Sequence, residues 1–596
     1  MTEKQRKRLH LPADLSVGAV LLLCAVLAAY HLEWNGPIVP VFGAAASAWL
    51  YRKEQENPAV MRAKVSSAIY SLLVSLAIVI GKDVQFSGGM RDGPDVNYID
   101  WGTGSAVAAL ALAVLLYPAV TALLRLTARF RIPTAAARTP DNRVFLIMWG
   151  LIFVCWTPYL LTFYPAGIVG DGALTLEEAM TPGVPNSNHW VVLYILTLRF
   201  FLWLGSLVKS DPHFGVFLYA LTQSVVFAAA CAAVSYKLWK VGAPRWAAWG
   251  CAAMYAISGF FASYGMAVWK DGLFSAGVVY LAIQLWELPK TPGWKPCLKF
   301  ALTALFLCFW RNNGIHVLIL CLLAVLILLR RQAKRILACG LAVVVGTMVI
   351  QGPVYDALQI RKDSLTESIS IPLQQLAAVI CSGETLSPEQ ESVLYSILPK
   401  EEWIDKYCPT LSDDLKGNAE LDREYLEEHF GDFLKVWVQL LPGNFGTYVE
   451  AYLMQTLGFW QPGVIGGNYS DYWIGIQDSA DRGWHITDWP DVITGHSIAE
   501  SLRYHTVYVP SGTAVWIMLL SAALLIGQGK CRRRMLTLAP FLAGWAVIMV
   551  AVPIAYSYRY ILMVAIGLPI ICVLPFCQEP DIENGEKAVA VPDAAK

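Results

Sequence analysis

Charge is scarce in this 596-residue sequence. Asp, Glu, Lys and Arg make up 15% of it, against about 25% in an average soluble domain. The charge present is balanced, with 45 basic and 45 acidic residues, so there is no basic surplus of the kind that holds nucleic acid. No Walker A loop and no Rossmann glycine fingerprint occurs, so no motif points to a cytoplasmic nucleotide. The HExxH spacing of a metal-dependent hydrolase is missing too, as is any fixed-period repeat that would make the chain a solenoid. Disulfide spacing is equally uninformative. The thirteen cysteines fall mainly in apolar runs, where they read as small buried hydrophobes. Cys381 and Cys408 lie in a polar stretch, and sequence leaves their pairing open.

Long apolar runs are what the chain has. Hydrophobic residues make up 56% of it. With about 20 apolar residues per crossing, fewer where helices pack on neighbours, the runs give about fourteen membrane helices. They lie near residues 15–33, 36–51, 65–82, 105–127, 143–163, 214–238, 244–263, 271–288, 297–310, 313–330, 335–355, 511–528, 535–554 and 558–577. The basic start "MTEKQRKRLH" before Leu15 to Tyr30 resembles a signal peptide with "AVLAA" as its cleavage site. An uncleaved first span is the favoured reading, because further spans follow at once and basic residues flank the run. Basic loops such as "YKLWKVGAPR", "KTPGWKPCLK", "RRQAKR" and "GKCRRR" belong in the cytoplasm by the positive-inside rule. Both termini then lie inside, and the alternate loops face out. The apolar stretch His189 to Leu207 breaks that alternation if it spans, and it carries Arg199 mid-run, which is costly at the bilayer centre. It is expected to lie along the outer interface.

Residues 356–510 differ in kind. They hold 24 Asp and Glu against 9 Lys and Arg, which suits an external, mostly helical domain. "SLTESISIPLQQLAAVICSG", "SPEQESVLYSIL" and "LDREYLEEHFGDFLKVWVQLL" have helical periodicity and start signals. Trp460, Trp473, Trp484 and Trp489 of this domain offer apolar faces for stacking, or else anchor an interface or fill the domain core.

The outward turns collect unusual polar residues. "YPAGIVGDGALTLEEAM" sets Asp171 between two glycines, with Glu177 and Glu178 further on. "SNHW" contributes His189. "WKDG" brings Lys270 and Asp271, "RNNG" brings Arg311, Asn312 and Asn313, and "YSYRY" brings Arg559. Each has a plainer role open to it. Asp271 suits a helix cap, the asparagines suit a turn, and the arginines suit snorkelling to headgroups. Asp171 also suits a simple turn, and His189 an interface. The convergence of independent loops on one level is what argues for a site. Arg and Asn suit a phosphate. An adjacent Asp suits proton abstraction from a hydroxyl, or a divalent cation shared by Asp171, Asp271 and His189. An outside phosphate substrate would most naturally be lipid-linked.

In order and sidedness these features resemble the GT-C-fold integral-membrane glycosyltransferases, which use polyprenyl-phosphate-linked sugars. The motifs "SNHW", "WKDG", "SISIPLQQLAAV" and "YSYRY" look like an uncharacterised bacterial branch. The resemblance covers roughly residues 143–577 and implies a GT-C-like, all-α polytopic fold. It implies a seven-helix module at 143–355 with catalytic outer loop 164–213, followed by an external segment, here the acidic domain at 356–510, whose tryptophans would stack on sugar rings. The apolar runs themselves add a four-helix extension at 1–142 outside the shared module, three membrane helices at 511–578 and a cytoplasmic tail at 579–596. Asp171 takes the place of the family's catalytic Asp, Asp271 that of the second acid, and "RNNG" that of the polar turn. Two departures stand out. This loop has one isolated Asp where many relatives have paired acids, and Arg311 stands where some have Lys. The resemblance implies a bacterial cytoplasmic-membrane enzyme with its active site on the outer face. It would move sugar from a polyprenyl-phosphate donor to a cell-envelope glycan, lipid or protein acceptor. Asp171, Asp271 and His189 would be catalytic, while Lys270, Arg311, Asn312, Asn313 and Arg559 would bind the lipid phosphate. A divalent cation is the possible cofactor. The alternatives are a lipid-linked-glycan transporter or flippase, which would place charges along span interiors, and a non-enzymatic envelope membrane protein.

Overall fold

A computed structural model describes residues 3–578, apart from 35, 88, 90, 134–136, 169, 186, 289–292, 363, 464–481, 505–507, 530, 552–553 and 556. Of helix residues 3–16 and of residues 331–332 and 503–504, only the backbone is described. Each apolar run forms helix. Four N-terminal helices, α1 (Glu3–His31), α2 (Ile38–Glu56), α3 (Met61–Asp83) and α4 (Thr103–Arg129), pack on one another. A two-residue antiparallel ribbon pairs Val84 with Ile99 between α3 and α4. Next come α5 (Asn142–Thr162), α6 (Asp171–Met180), α7 (Val192–Ser206), α8 (Pro212–Lys240), α9 (Arg245–Ile257), α10 (Gly259–Met266), α11 (Lys270–Glu287), α12 (Trp294–Trp310), α13 (Gly314–Leu329) and α14 (Lys334–Val349). Eight described stretches are long and apolar enough to cross a membrane: α3, α4, α5, α8, Lys334–Ala357, Ser511–Gln528, Arg532–Val550 and Tyr558–Phe576. The chain is therefore an all-α, polytopic membrane protein. The expected count of about fourteen crossings exceeds these eight, because several of the remaining helices are short or interrupted.

The interruptions have local causes. The run at 244–263 breaks at Ser258, whose extended backbone (φ −83°, ψ 112°) ends α9 before Gly259 opens α10. The run at 335–355 loosens after Val349 into a wide turn, Ile350–Val354, with Gly352 out of helical geometry beside Pro353; proline removes a backbone donor and crowds the preceding turn. The stretch 189–207 yields α7, only 15 residues long and below the length of a crossing. It packs on α6 and α8. Arg199, awkward in an apolar run, serves a structural purpose. It donates to the carbonyls of Ala179 (3.2 Å), Glu178 (3.2 Å) and Thr181 (2.8 Å), and to that of Gly183. These carbonyls belong to the last turn of α6 and the loop that follows it, where the helix's own donors run out.

Residues 365–455 form a helical region with its own core, including α15 (Ser370–Cys381), α16 (Pro388–Ile397), α17 (Phe430–Leu440) and α18 (Phe445–Gln455). Trp403 is fully buried there among Leu373, Leu394 and Phe433. Two expected single helices are broken. One splits at Ile369 and the other at His429, so that Leu365–Ser368 and Arg423–Glu428 stand as separate turns. Among the described residues no cysteine is in a disulfide; Cys408 Sγ instead donates to Asp92 O at 3.4 Å. The chain returns to the bundle with α19 (Ser511–Gln528), which packs on α3, then α20 (Arg532–Val550) against α11 and α13, and α21 (Leu562–Val573) against α8 and α11.

The bundle has two distinct ends. At one, Lys237 and Lys240 both reach Glu287 (3.1 and 2.7 Å), Arg138 binds the carbonyls of Trp239 and Ala243, and Arg534 binds Cys577 O. Lys270 and Asp271 lie at the other, across the 18 residues of α11. That helix is roughly 27 Å long at about 1.5 Å per residue, close to the thickness of a bilayer's hydrocarbon core.

Candidate functional site

At the Lys270 end, the loop after α5 folds onto the turn before α11. Val268 N–H donates to Gly167 O at 2.8 Å, and Gly167 N–H to Met266 O at 3.3 Å. Gly172 makes the approach possible, since a Cβ there would lie 2.9 Å from Val268 O. The turn is held from beneath by Gln223 of α8. Its amide donates to the carbonyls of Tyr264 (3.4 Å), Gly265 (3.1 Å) and Ala267 (2.5 Å), while Tyr219 Oη donates to its oxygen at 2.6 Å. Gln223→Leu would strip these buried carbonyls of their donor. The expected loss is about 1–3 kcal/mol, read as a lowered unfolding midpoint of the purified protein; an unchanged midpoint would show that the turn holds itself.

On this base the predicted charges meet. Arg559 Nη1 donates to Asp171 Oδ2 at 2.7 Å, and Arg311 is ion-paired to Asp271. Lys270 Nζ donates to His189 O at 3.4 Å and lies 5.7 Å from the Trp190 ring. Tyr560 ties the two pairs together: Arg559 Cζ lies 5.0 Å from its ring and Arg311 Cζ 5.1 Å, and its hydroxyl accepts from Arg559 Nη2 at 3.1 Å. Trp269 covers Arg559 at 4.7 Å, and Phe274 covers Arg311 at 5.6 Å.

The pairs differ in access. The Asp271 and Arg311 side chains are 4% and 10% exposed, whereas Asp171 is 44% exposed against 11% for Arg559. Burial pushes the Asp171 carboxyl upward. The charge and hydrogen bond of Arg559, with the charges of Lys270 and His189, outweigh it and hold the group below its ordinary value. Asp171 is therefore a carboxylate at neutral pH.

The asparagines join backbone to backbone. Asn188 Nδ2 donates to Asn312 Oδ1 and Asn312 Nδ2 to Asn188 O, both at 3.0 Å, while Asn188 N–H donates to Arg361 O at 2.8 Å. Asn312, expected on the phosphate, thus fastens the first loop to the turn before α13. Asn313 precedes that helix without capping it through its side chain. Among the described residues no three His, Cys, Asp or Glu side chains group to hold a metal ion. Asp171 and Asp271 each face a guanidinium.

Two of the four tryptophans expected to stack on sugars are inside. Trp460 donates to Leu453 O at 2.9 Å, and Trp484 packs on His213 at 5.1 Å; they are 7% and 3% exposed. Trp489 sits edge-on to Tyr164 at 5.8 Å, and Trp473 lies outside the described residues. Gln223 builds the site without having stood out in the sequence, and Asn188 and Tyr560 lay in quoted motifs but were given no role of their own. A glutamine inside the apolar run 214–238 is the signal that could have found the first of them, because an amide in a span needs a polar partner.

A multi-span helical bundle with a helical region outside it, and with paired charges gathered at one end, defines the class: a polytopic membrane protein with a polar terminal site. Residues 180–589 match the model described as "Family of unknown function (DUF6020)", and the chain belongs to that family. The match includes His189, Lys270, Asp271, Arg311 and Arg559 and begins after Asp171. No curated protein and no solved structure matches the chain.

Proposed function

We propose that this protein is a membrane glycosyltransferase of GT-C type that moves a sugar from a polyprenyl-phosphate donor to an acceptor hydroxyl of a cell-envelope glycan, lipid or protein. The observation that carries the reading is the half-open Asp171 carboxylate set beside Arg559 and Lys270 at one end of the bundle. A hydroxyl nucleophile needs a base, and a phosphate leaving group needs cations; both are within one cluster.

In the proposed step the acceptor oxygen bonds to the anomeric carbon from the face opposite the phosphate. Its proton passes to Asp171. The anomeric carbon–oxygen bond to phosphate breaks, and the electron pair leaves with the lipid phosphate, inverting the anomeric centre. Arg559 and Lys270 stabilise the charge gathering on that phosphate. Asp271 and Arg311 brace the wall behind them, and the His189 carbonyl steadies Lys270. The site faces outward in this reading, since the basic loops lie at the opposite end of the bundle. Fourteen crossings with both termini inside complete the topology.

The test is chemical. Purified protein is incubated with a panel of polyprenyl-phosphate sugars and an envelope extract as acceptor, and free lipid phosphate is measured. Release from at least one donor, dependent on acceptor, is expected. No release from any donor would overturn the reading.

A further inference from the structure

Two Asp–Arg pairs in one site invite the question of which can open. Asp271 and Arg311 are both enclosed, and Arg311 is covered by the Phe274 and Tyr560 rings. Separating them strands two charges away from water, which is strongly unfavourable. The other pair is asymmetric. Arg559 is fixed, with Trp269 and Tyr560 against its guanidinium and the Tyr560 hydroxyl on Nη2. Its partner Asp171 is nearly half exposed and sits in the first turn of α6, just after Gly170 in the left-handed region (φ +50°). A carboxylate so placed can return to water, while the guanidinium, 11% exposed, stays where the rings hold it and needs an anion in the carboxylate's place.

We propose that Arg559 is an exchangeable anion seat whose resident occupant is the Asp171 carboxylate, and that a lipid-linked phosphate binds by displacing it. The proposal rests on reading this site as one that binds phosphate. A phosphate offers Arg559 the same kind of oxygen that the carboxylate does, and guanidinium binds both through charge-assisted bonds. Lys270, whose charge acts on Asp171, supplies a second cation. The exchange has a consequence for order. While paired, Asp171 is a weak base. Once phosphate takes Arg559, the carboxylate is released and becomes more basic, so the base is armed only after the donor has arrived. The internal competitor also weakens apparent affinity, because only the opened fraction binds ligand.

The test uses full-length protein in detergent and farnesyl phosphate, a prenyl phosphate without sugar, with uncharged farnesol as the control for chain partitioning. Asp171→Asn removes the competing charge and is expected to bind farnesyl phosphate about tenfold more tightly than wild type, with farnesol binding unchanged. The double variant Asp171→Asn/Arg559→Gln leaves no stranded charge and is expected to lose that gain and fall at least tenfold below wild type. Unfolding midpoints confirm that each variant is folded. Equal or weaker binding by Asp171→Asn would overturn the exchange, and full retention of binding by the double variant would overturn Arg559 as the seat. Because the probe has no sugar, its binding is independent of turnover. Absence of transfer from every sugar donor would remove the transferase reading and leave the seat standing, whereas unchanged affinity in Asp171→Asn would remove the exchange alone.

Discussion

Asp171→Asn is expected to lower sugar transfer by a factor of about 10² or more, the contribution typical of a positioned general base. The amide has nearly the shape of the carboxylate and keeps an acceptor oxygen for Arg559, so the fold should be kept. Asp171 is partly open to solvent, but Arg559 is only 11% exposed and loses its counter-charge, so some loss of stability accompanies the change. The measurement is the single-turnover rate of lipid phosphate release at saturating donor, with the unfolding midpoint as companion. A rate within about tenfold of wild type would make Asp171 a first-turn residue of α6 paired to Arg559 rather than the base.

Arg311→Ala should have the largest effect on stability. It leaves the Asp271 carboxylate buried (4% exposed) without its cation, a change that costs about 3–5 kcal/mol. Chemical unfolding in detergent reads it directly. The double variant Asp271→Leu/Arg311→Met removes both charges and should recover most of the loss, as paired apolar replacements of buried ion pairs do. If Arg311→Ala unfolds with wild type and instead loses binding of farnesyl phosphate, Arg311 belongs on the ligand and not in the wall. Similar residue pairs, one buried and one half open, thus fail in different ways.

Much of this architecture was legible because apolar runs and basic loops are coarse signals that survive any detail of packing. The approach of Asp171, Lys270, Asp271, Arg311 and Arg559 to one end followed from alternating the spans. What pattern did not carry was pairing. Nothing in the spacing tells that Arg311 turns to Asp271 and Arg559 to Asp171, since the partners lie 40 and 388 residues apart. Asn312 looked like a phosphate ligand because a turn asparagine is chemically suited to one. Its amide is used by Asn188, and that cross-link depends on a tertiary approach. For Trp460 and Trp484 the core role, one of those the sequence left open, is the one the structure shows: they sit where the polar segment meets the bundle. The break at Ser258 was hidden within a run apolar enough to pass as a single span, whereas the distortion at Gly352 lies in a stretch still long and apolar enough to cross.

The transferase reading proposed above has a lipid-linked donor meet Asp171 on the outer face, so it requires one orientation of the bundle. The direct measurement is thiol labelling of intact cells with a membrane-impermeant reagent, in a cysteine-depleted background. Val184→Cys, following α6 at the Asp171 end, and Trp246→Cys, at the Lys240 end, replace side chains that are 52% and 79% exposed. Labelling at 184 in intact cells, with labelling at 246 only after permeabilisation, is the predicted result. Labelling at 246 in intact cells, with 184 protected until the membrane is opened, would turn the site inward and contradict an outward-facing transferase.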